Sequence, residues 1–324
     1  MRAIVCKKFG PPSTLVLEEM PNLSAKENEV VVGVKACGIN FPDTLIIQGL
    51  YQYKPELPFT PGSDIAGIVK EIGPGVKHLK PGDEVFGFVP FGGLAEEVGV
   101  PVNACFLKPS KMDFPMAASF MMAYGTSYHA LKDRAKLMAG ETLLVLGASG
   151  GVGLAAVELG KLMGATVIAA ASTDEKLQLC KVYGADETIN YSKEDLKDAI
   201  KSLTRGKGAD VVYDPVGGQY SEAALRATAI NGRFLVVGFA SGEIPKIPLN
   251  LPLLKSCSVV GVFWGSFAMK DPKGNMQNAA NLLQWYNEGK LKPHIHKIYD
   301  LVDTYKALEE MMDRKVQGKV VVRI

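Results

Sequence analysis

Residues 144–172 read LVLGASGGVGLAAVELGKLMGATVIAAAS and decide the fold. An apolar run leads into a glycine-rich turn, a stretch of small helix-forming residues follows, and a second apolar run ends the segment. This order predicts a βαβ unit that binds a nucleotide. Two features depart from the usual pattern. Ala148 stands where the first glycine of G-x-G-x-x-G is expected, and no acidic residue ends the second strand.

The glycines of the turn predict a pyrophosphate site. Gly150 permits a phosphate to approach the main chain, and Gly153 permits the following helix to pack closely on the sheet. Ala148 still allows a small turn, or Gly147 adopts the strained conformation instead. A glycine-rich turn that merely packs a helix on a sheet has the same pattern, but the flanking strands favour a dinucleotide at the helix N-terminus. The candidate cofactor-binding residues here are Ser149, Gly150, Gly151, Val152 and Gly153.

The end of the second strand favours NADPH over NADH. In NAD sites an Asp or Glu at this place binds the ribose 2′-hydroxyl, whereas this strand ends at Ser172. Asp174 lies further on, where STDE (172–175) resembles a capping box with Ser172 as the N-cap and Glu175 reaching back. Lys176 then remains to meet a negative group. A hydroxyl and a lysine suit a 2′-phosphate.

Composition limits the class of protein. The net charge of +2 comes from interspersed Lys and Asp/Glu without a basic stripe, which argues against nucleic acid and an anionic membrane surface. No uncharged apolar run reaches the roughly 18 residues of a membrane span, and the start MRAIVCKKFG lacks the apolar core of a signal peptide. Five scattered cysteines without a C-x-x-C pair predict reduced thiols and a cytoplasmic protein.

The 324 residues suit two domains. Residues 1 to about 110 alternate short apolar runs with Gly/Pro turns, which predicts a compact β barrel or sandwich. Further along, predicted strands alternate with helices, which is typical of a doubly wound parallel sheet. The strands are expected at 143–146, 166–171, 211–214, 232–239 and 258–264, and the helices at 152–163 and 175–183. The tail has helices at 276–288 and 301–314, and its final GKVVVRI is expected to return as a strand to the first domain.

A zinc site is not predicted. Catalytic zinc needs about three protein ligands and an open position. Cys37 is one possible ligand, but Ser63 and Asp64 stand where zinc enzymes of this shape have histidine and glutamate. The four histidines have no useful spacing from Cys37; they are His78, His129, His294 and His296.

Six segments together resemble the quinone oxidoreductase (ζ-crystallin-like) branch of the medium-chain dehydrogenase/reductase superfamily. They are CGINFPDTLIIQGLY (37–51), LPFTPGSDIAGIV (57–69), GDEVFGF (82–88), GASGGVGLAAVELGK (147–161), GADETINYSKED (184–195) and VYDPVGG (212–218). The resemblance implies an α/β fold with a discontinuous GroES-like substrate domain (1–123 with 265–324) and a Rossmann NADPH-binding domain (124–264). It also implies a homodimer formed through SVVGVFWG, and NADPH without zinc or flavin.

The resemblance assigns further site residues by position. It implies 2′-phosphate contacts from Ser172, Lys176 and Tyr191, although Tyr191 also suits a packed surface position. The chain is expected to approach the nicotinamide and its ribose at Thr126, Gly238, Phe239, Phe263 and Trp264, although Phe263 and Trp264 also suit an interface core. The substrate residues match Asn40, Tyr51 and Tyr128. A further tyrosine of the branch falls on Leu45, which makes the expected pocket more apolar.

The expected reaction is hydride transfer to a quinone or another α,β-unsaturated carbonyl compound. Without zinc, hydrogen-bond donors must stabilise the charge on the carbonyl oxygen. Asn40 and Tyr51 are the candidate donors, and Tyr128 or a water delivers the proton. Asn40 also suits a structural turn, and Asp43 is expected to bond local backbone or the nicotinamide end of the cofactor. An enoyl or alkenal reductase is the alternative enzyme, and an NADPH-binding structural or RNA-binding protein is the alternative without catalysis.

Overall fold

The structure is a computed structural model that describes all 324 residues, and the chain divides into two compact units. The first unit comprises Met1–Met122 and Pro293–Ile324, and the second comprises Ala123–Lys292. The first unit is therefore assembled from both ends of the chain. No helix is long and apolar enough to cross a membrane.

Strands and helices follow in chain order. The strands are β1 (Arg2–Val5), β2 (Val16–Glu19), β3 (Glu29–Ile39), β4 (Asp64–Ile72), β5 (Glu84–Phe88), β6 (Glu97–Pro101), β7 (Cys105–Leu107), β8 (Thr142–Leu146), β9 (Thr166–Ala171), β10 (Glu187–Asn190), β11 (Ala209–Asp214), β12 (Thr228–Val236), β13 (Ser258–Gly261), β14 (Ile295–Asp300) and β15 (Lys319–Arg323). The α-helices are α1 (Phe41–Ile46), α2 (Phe114–Ala117), α3 (Thr126–Tyr128), α4 (Gly151–Leu162), α5 (Asp174–Val182), α6 (Leu196–Leu203), α7 (Gln219–Arg226), α8 (Asn250–Lys255), α9 (Trp264–Lys270), α10 (Pro272–Asn287) and α11 (Thr304–Met312). Short 3-10 turns lie at Pro12–Thr14, Val102–Ala104 and Leu301–Asp303, and π-helical turns at Met121–Gly125 and His129–Arg134.

The first unit is built on a seven-stranded sheet in the order β14-β15-β3-β4-β5-β7, with β6 also paired to β3. The strands pair antiparallel except β14 with β15. The predicted return of the final strand is confirmed, because β15 pairs with β3 and places Val320 opposite Ile39. Two segments far apart in sequence thus share one β-rich core.

The second unit contains six parallel strands in the order β10-β9-β8-β11-β12-β13. Counted from β8 this is the order 3-2-1-4-5-6 of dinucleotide-binding sheets, in which ligands bind at the carboxyl ends of the strands. The central strands are buried along nearly their whole length, as expected where helices cover both faces of a parallel sheet. The predicted α/β sheet is confirmed.

Residues 265–292, which the sequence analysis groups with the first domain, lie in the second unit. Helix α10 makes its polar contacts there. Trp264 Nε1 donates to Asn275 Oδ1 at 3.0 Å, and Lys132 Nζ donates to Asn278 Oδ1 at 2.6 Å. These side chains fix the helix to its unit, whereas its amphipathic pattern did not show which core it covers.

Both ends of the second unit are held by one carboxylate. The Tyr124 hydroxyl donates to Glu158 Oε2 at 2.7 Å, and the Lys292 backbone N–H donates to Glu158 Oε1 at 2.8 Å. Glu158 lies on α4. The points where the chain enters and leaves the unit are therefore anchored on the helix that follows the glycine-rich turn.

Candidate functional site

The glycine-rich turn links the carboxyl end of β8 to α4. Gly147 adopts a left-handed conformation with φ of 55°, which confirms that it takes the strained position in place of Ala148. A Cβ at Gly153 would lie 2.3 Å from the carbonyl oxygen of Gly147. The helix therefore packs against the turn so closely that only glycine fits at position 153, as predicted.

Gly150 provides the space that a bound pyrophosphate needs. A Cβ there would have only one protein atom within 4 Å, the Gly147 carbonyl oxygen at 3.5 Å, so it would point into open volume. Gly150 is also the N-cap of α4, and no side chain caps that helix. The N-terminal N–H groups and the helix dipole suit an anion at this place. The turn residues thus fit a dinucleotide cofactor.

Ser172 and Lys176 lie together just beyond the carboxyl end of β9. The expected capping role of Ser172 is wrong, because Thr173 is the N-cap of α5 and its hydroxyl accepts from the Lys176 N–H at 3.3 Å. The cap lies one residue later than expected, since Thr173 is still extended, and the helix itself begins at Asp174, one residue before its predicted start. The Ser172 hydroxyl instead accepts from Lys176 Nζ at 3.4 Å. A hydroxyl and an ammonium group are therefore adjacent where the acid of NAD sites is absent.

Both carboxylate oxygens of Asp174 accept hydrogen bonds from other residues of the chain. Asn190 Nδ2 donates to Asp174 Oδ1 at 2.6 Å, and Lys193 Nζ donates to Asp174 Oδ2 at 2.6 Å. Lys193 and Asn190 lower the pKa of Asp174, so the carboxylate is ionised and paired. It joins α5 to the segment after β10, where the Tyr191 ring packs 4.3 Å from the Tyr220 ring. The Asp174 carboxylate is therefore engaged in structural contacts with Asn190 and Lys193.

The loops after β11 and β12 are fastened together by Asp214. Its Oδ1 accepts from the N–H groups of Val216 and Gly217 at 2.8 and 2.9 Å, and its Oδ2 accepts from the Ser221 hydroxyl at 2.6 Å. The Gly238 N–H bonds the Asp214 carbonyl at 3.3 Å. Asp214 thereby sets the backbone on which the predicted cofactor residues Gly238 and Phe239 lie. The sequence analysis quoted VYDPVGG without giving Asp214 this role.

The remaining predicted residues of the second unit differ in exposure. Trp264 is buried against Gly125, next to Thr126, and its indole bonds Asn275. Phe263 is 56% exposed. The Tyr128 hydroxyl accepts from Asn281 Nδ2 at 3.3 Å, its ring packs edge-on against Trp285, and burial raises its pKa.

A buried polar cluster lies at the end of β3 in the first unit. We use this name for Asn40, Asp43, Ser63, Asp64 and Lys319, all of which are buried. Asp43 Oδ2 accepts from the Asn40 backbone N–H at 2.7 Å, and Asp43 Oδ1 accepts from the Ser63 hydroxyl at 3.1 Å. The expected local backbone bond of Asp43 is therefore confirmed.

The second half of the cluster is centred on Asp64. Asn40 Nδ2 donates to Asp64 Oδ2 at 3.3 Å and to the Gly38 carbonyl at 3.4 Å. The Met122 N–H donates to Asp64 Oδ1 at 3.3 Å, and Lys319 Nζ lies 3.5 Å from Asp64 Oδ2. Every buried polar side-chain atom has a partner. The amide hydrogens of Asn40 are thus engaged within the protein, through long bonds.

Burial dominates the electrostatics of the cluster. It raises the pKa of Asp43 from 3.8 to about 6, against the opposing effects of the Asn40 N–H and the Lys319 charge. Burial also raises the pKa of Asp64. Tyr51 packs half-buried against the core of this unit, and its pKa is raised by burial and then by the Asp43 charge. Low polarity therefore favours the protonated form of each of these groups.

Predicted site residues gather at two places, one in each unit. In the second unit, the turn 147–153, Ser172, Lys176, Tyr191 and the loop at 238–239 all follow the carboxyl ends of parallel strands. In the first unit, Asn40 and Asp43 meet in the buried polar cluster. Lys319, which the sequence analysis did not single out, is its cation. The available signal was a lysine placed directly before the apolar run of the last strand.

Comparison with known proteins identifies the family. The family described as "Alcohol dehydrogenase GroES-like domain" matches residues 26–110, and "Zinc-binding dehydrogenase" matches residues 151–285. "Quinone oxidoreductase-like protein 2 homolog" of Nematostella vectensis is 42% identical over 99% of this chain and 88% of its own length. "Quinone oxidoreductase-like protein 2" of Bos taurus is 40% identical over 100% of this chain and 92% of its own length.

Solved structures agree. The Escherichia coli quinone oxidoreductase complexed with NADPH has a TM-score of 0.95 at 31% identity, with 100% of both chains covered. The CurK enoyl reductase has a TM-score of 0.91 at 28% identity, with 99% of this chain and 98% of that chain covered. The fold is that of the medium-chain dehydrogenase/reductases, a Rossmann sheet with a GroES-like unit. Within that superfamily the chain belongs to the quinone oxidoreductase branch.

One of the matching families is described as "Zinc-binding dehydrogenase". The residues of this chain at the corresponding positions do not fit a zinc site. Cys37 is buried beside Gly62 and Gly93, where added Cβ atoms would lie 2.8 and 3.0 Å from its sulfur. Burial raises the pKa of this thiol well above its ordinary value. Ser63 and Asp64 are engaged within the buried polar cluster. No group of three or more His, Cys, Asp or Glu is placed to hold a metal ion.

Proposed function

We propose that this chain is an NADPH-dependent, zinc-independent oxidoreductase that reduces a quinone or another conjugated carbonyl compound. The observation that carries the proposal is the adjacent Ser172 hydroxyl and Lys176 ammonium group at the end of β9, 3.4 Å apart. Asp174, one of the two acids that follow Ser172 closely in sequence, is already bonded to Asn190 and Lys193. Such a place favours the additional phosphate of NADPH over the bare ribose of NADH.

The cofactor's other contacts follow from the same edge of the sheet. The backbone from Ser149 to Gly153 and the N-terminus of α4 would hold the pyrophosphate. Tyr191 would join Ser172 and Lys176 at the 2′-phosphate. The nicotinamide end would be held by the second-unit residues Thr126, Gly238, Phe239, Phe263 and Trp264, and Asp43 of the first unit is the remaining candidate. When bound, the reduced nicotinamide supplies a hydride.

The first unit offers the polar groups for the acceptor. Negative charge on the acceptor's carbonyl oxygen needs hydrogen-bond donors that are already in position. Tyr51 is half-buried and keeps its proton because its pKa is raised, so it can donate. Asn40 would donate by exchanging one of its present amide bonds, which at 3.3 and 3.4 Å are long. We propose Tyr128 as the proton donor, since its raised pKa keeps the hydroxyl protonated.

Steady-state kinetics test this function. With 9,10-phenanthrenequinone as acceptor, we expect kcat/KM to be at least about tenfold higher for NADPH than for NADH, from the added charge-assisted contacts. We expect EDTA to leave turnover unchanged. A preference for NADH contradicts the cofactor assignment, and loss of turnover with EDTA contradicts zinc independence.

Reduction of a polarised C=C bond is the second candidate. The similarity to the CurK enoyl reductase supports it, as does Leu45, which removes a hydroxyl expected in this branch. A 2-alkenal and crotonyl-CoA, assayed beside 9,10-phenanthrenequinone with NADPH, separate the two functions. A higher kcat/KM for either alkene substrate would replace the quinone assignment.

We also propose a homodimer formed through β13. This strand is one edge of the six-stranded sheet, and its apolar Val259 is 46% exposed. The opposite edge, β10, carries the polar sequence ETIN. An apolar, unpaired edge favours pairing with a second chain. In sedimentation experiments, Val259→Lys should yield monomers, whereas Ile298→Lys on the edge strand β14 of the first unit should not. A monomeric parent chain contradicts the proposal.

We propose a cytoplasmic location. All five cysteines are free and buried, as expected for a protein of a reducing compartment. Fractionation of cells that express the tagged chain tests this, and recovery in a sealed organelle would contradict it.

A further inference from the structure

Lys319 is a buried lysine whose position depends on long-range strand pairing. It is the first residue of β15, and the pairing of β15 with β3 brings it to Ile39 and Asn40. Its Nζ donates to the Ile39 carbonyl at 3.1 Å and, through a short bond, to Asn40 Oδ1. The residue is only 4% exposed.

The ammonium group determines how the Asn40 amide is oriented. A protonated lysine has three donors and no acceptor, so the atom facing it must be the oxygen of Asn40. The Nδ2 group is therefore turned towards Asp64 Oδ2 and the Gly38 carbonyl. Rotating the amide by 180° would place two donors against Lys319 and an acceptor against a carboxylate.

Lys319 is also the only cation within ion-pair distance of Asp64, at 3.5 Å. Two carboxyl groups, Asp43 and Asp64, are buried in this cluster. A buried carboxylate without a cation is costly, and it takes up a proton or changes its surroundings. Loss of Lys319 would remove the hydrogen bond to Asn40 and the charge that compensates Asp64.

We propose that Lys319 is a positioning residue: it fixes the Asn40 amide and compensates Asp64, so that Asn40 is held in place to act on the acceptor. The role deepens the proposed function and rests on it. The positive charge that compensates Asp64 is the Lys319 ammonium group, which belongs to the same buried polar cluster as Ser63 and Asp64. Since Lys319 bonds other residues of the chain, it acts through Asn40.

The kinetic test compares Lys319→Met with a matched control. Lys108→Met removes another lysine of the first unit, whose side chain is 4% exposed, against 5% for that of Lys319, and is paired with Glu84 at 2.9 Å. We expect Lys319→Met to lower kcat with 9,10-phenanthrenequinone about 10- to 100-fold, as loss of positioning does. The NADPH dissociation constant should change less than twofold, and Lys108→Met should keep kcat within twofold.

Charge-retaining and neutral variants separate positioning from stability. Lys319→Arg should recover at least about fivefold in kcat over Lys319→Met. Should Lys319→Met not fold, Lys319→Gln takes its place, with the same expected loss of kcat. The proposal is overturned by a folded Lys319→Met with kcat within twofold of the parent. It is also overturned if neither neutral variant folds while Lys108→Met does, because Lys319 is then a structural residue.

A spectroscopic measurement keeps this test separate from the proposed function. The side-chain amide signals of Asn40 in a ¹⁵N–¹H spectrum, assigned from their loss in Asn40→Asp, should shift in Lys319→Met and not in Lys108→Met. A parent chain that binds NADPH but reduces none of the acceptors contradicts the proposed reaction alone. Unchanged Asn40 signals in Lys319→Met contradict the positioning role, whatever the substrate.

Discussion

The two lysines at the candidate sites, Lys319 and Lys176, have opposite surroundings. Lys319 is enclosed in the first unit, with a carbonyl, an amide oxygen and a carboxylate as partners. Lys176 lies on the first turn of α5 in the second unit and contacts Ser172 through a long bond of 3.4 Å. The first lysine is engaged by groups of its own chain, and the second is the lysine that we propose to bind the 2′-phosphate of the cofactor.

The same difference extends to the neighbouring residues. Around Lys319, donors and acceptors match without a ligand, so the cluster is organised before any substrate arrives. In the second unit, the glycine-rich turn leaves open volume at Gly150 and a helix N-terminus without a side-chain cap. Hydrogen bonds within the fold, such as those around Lys319, are what holds a functional side chain in a preorganised geometry.

The largest expected effect comes from the buried side of this comparison. The pKa of Asp43 is raised from 3.8 to about 6, so the folded chain binds this proton more tightly than the unfolded chain. Stability from Asp43 is therefore fully present below pH 3.8 and is lost as the pH rises to about 6. Each pKa unit corresponds to about 1.4 kcal/mol, which gives a loss on the order of 3 kcal/mol.

Urea unfolding of the parent and of Asp43→Asn from pH 4 to 7 measures this loss. The stability advantage of the parent should shrink as the pH rises to about 6 and stay constant above it. A difference that does not change with pH would show that Asp43 is not held in its protonated form by burial.

The next effect concerns the two glycines of the turn. Gly153→Ala places a Cβ 2.3 Å from the Gly147 carbonyl oxygen, and such overpacking costs about 1–3 kcal/mol of stability. Gly150→Ala meets no protein atom closer than 3.5 Å, so it should keep stability and lose about tenfold or more in NADPH affinity.

Melting temperatures and NADPH titrations distinguish these variants. If Gly150→Ala binds NADPH as well as the parent does, the open volume beside the turn is not where the pyrophosphate lies.

A smaller effect is expected at Lys176. Lys176→Ala should weaken NADPH binding by about tenfold, the value of one charge-assisted contact. NADH binding should change less than twofold, because NADH lacks the 2′-phosphate. Fluorescence titration with both dinucleotides measures this, and an equal loss for the two would place Lys176 at another part of the cofactor.

The smallest effect is expected at Asp174. Its carboxylate is bonded to Asn190 and Lys193, so Asp174→Asn should change the affinity for either dinucleotide less than threefold. A large gain in NADPH affinity would mean that its charge reaches the phosphate site despite Lys193. A large loss for NADH would mean that Asp174 binds the ribose.

Local sequence patterns predicted much of the second unit. The strand, turn and helix from β8 to α4 depend on neighbouring residues, and the conformations of Gly147 and Gly153 followed from the turn that a dinucleotide needs. The strand β10 escaped prediction because its four residues, ETIN, are short and mostly polar. The N-cap of α5 is Thr173 and not the expected Ser172. Both residue types can cap a helix, and the backbone conformation determines which of them does so.

Non-local contacts set the limit of prediction. Lys319 meets Asn40 across 279 positions of the chain, and no local pattern announces such a contact. Helix α10 has an amphipathic sequence that suits either core, and non-local contacts such as those of Asn275 with Trp264 and Asn278 with Lys132 fix its unit. The partners of Asp174 were missed for the same reason, since Asn190 ends the next strand and Lys193 follows it.

The anchoring of Tyr124 and Lys292 on Glu158 bears on how this molecule could have been assembled in evolution. A continuous segment whose two ends are anchored on the same carboxylate can be inserted at a single point of another chain, because its ends leave the two flanking parts of that chain close together. The dinucleotide-binding segment is therefore suited to transfer as one piece, by recombination, between proteins with different substrate-binding domains.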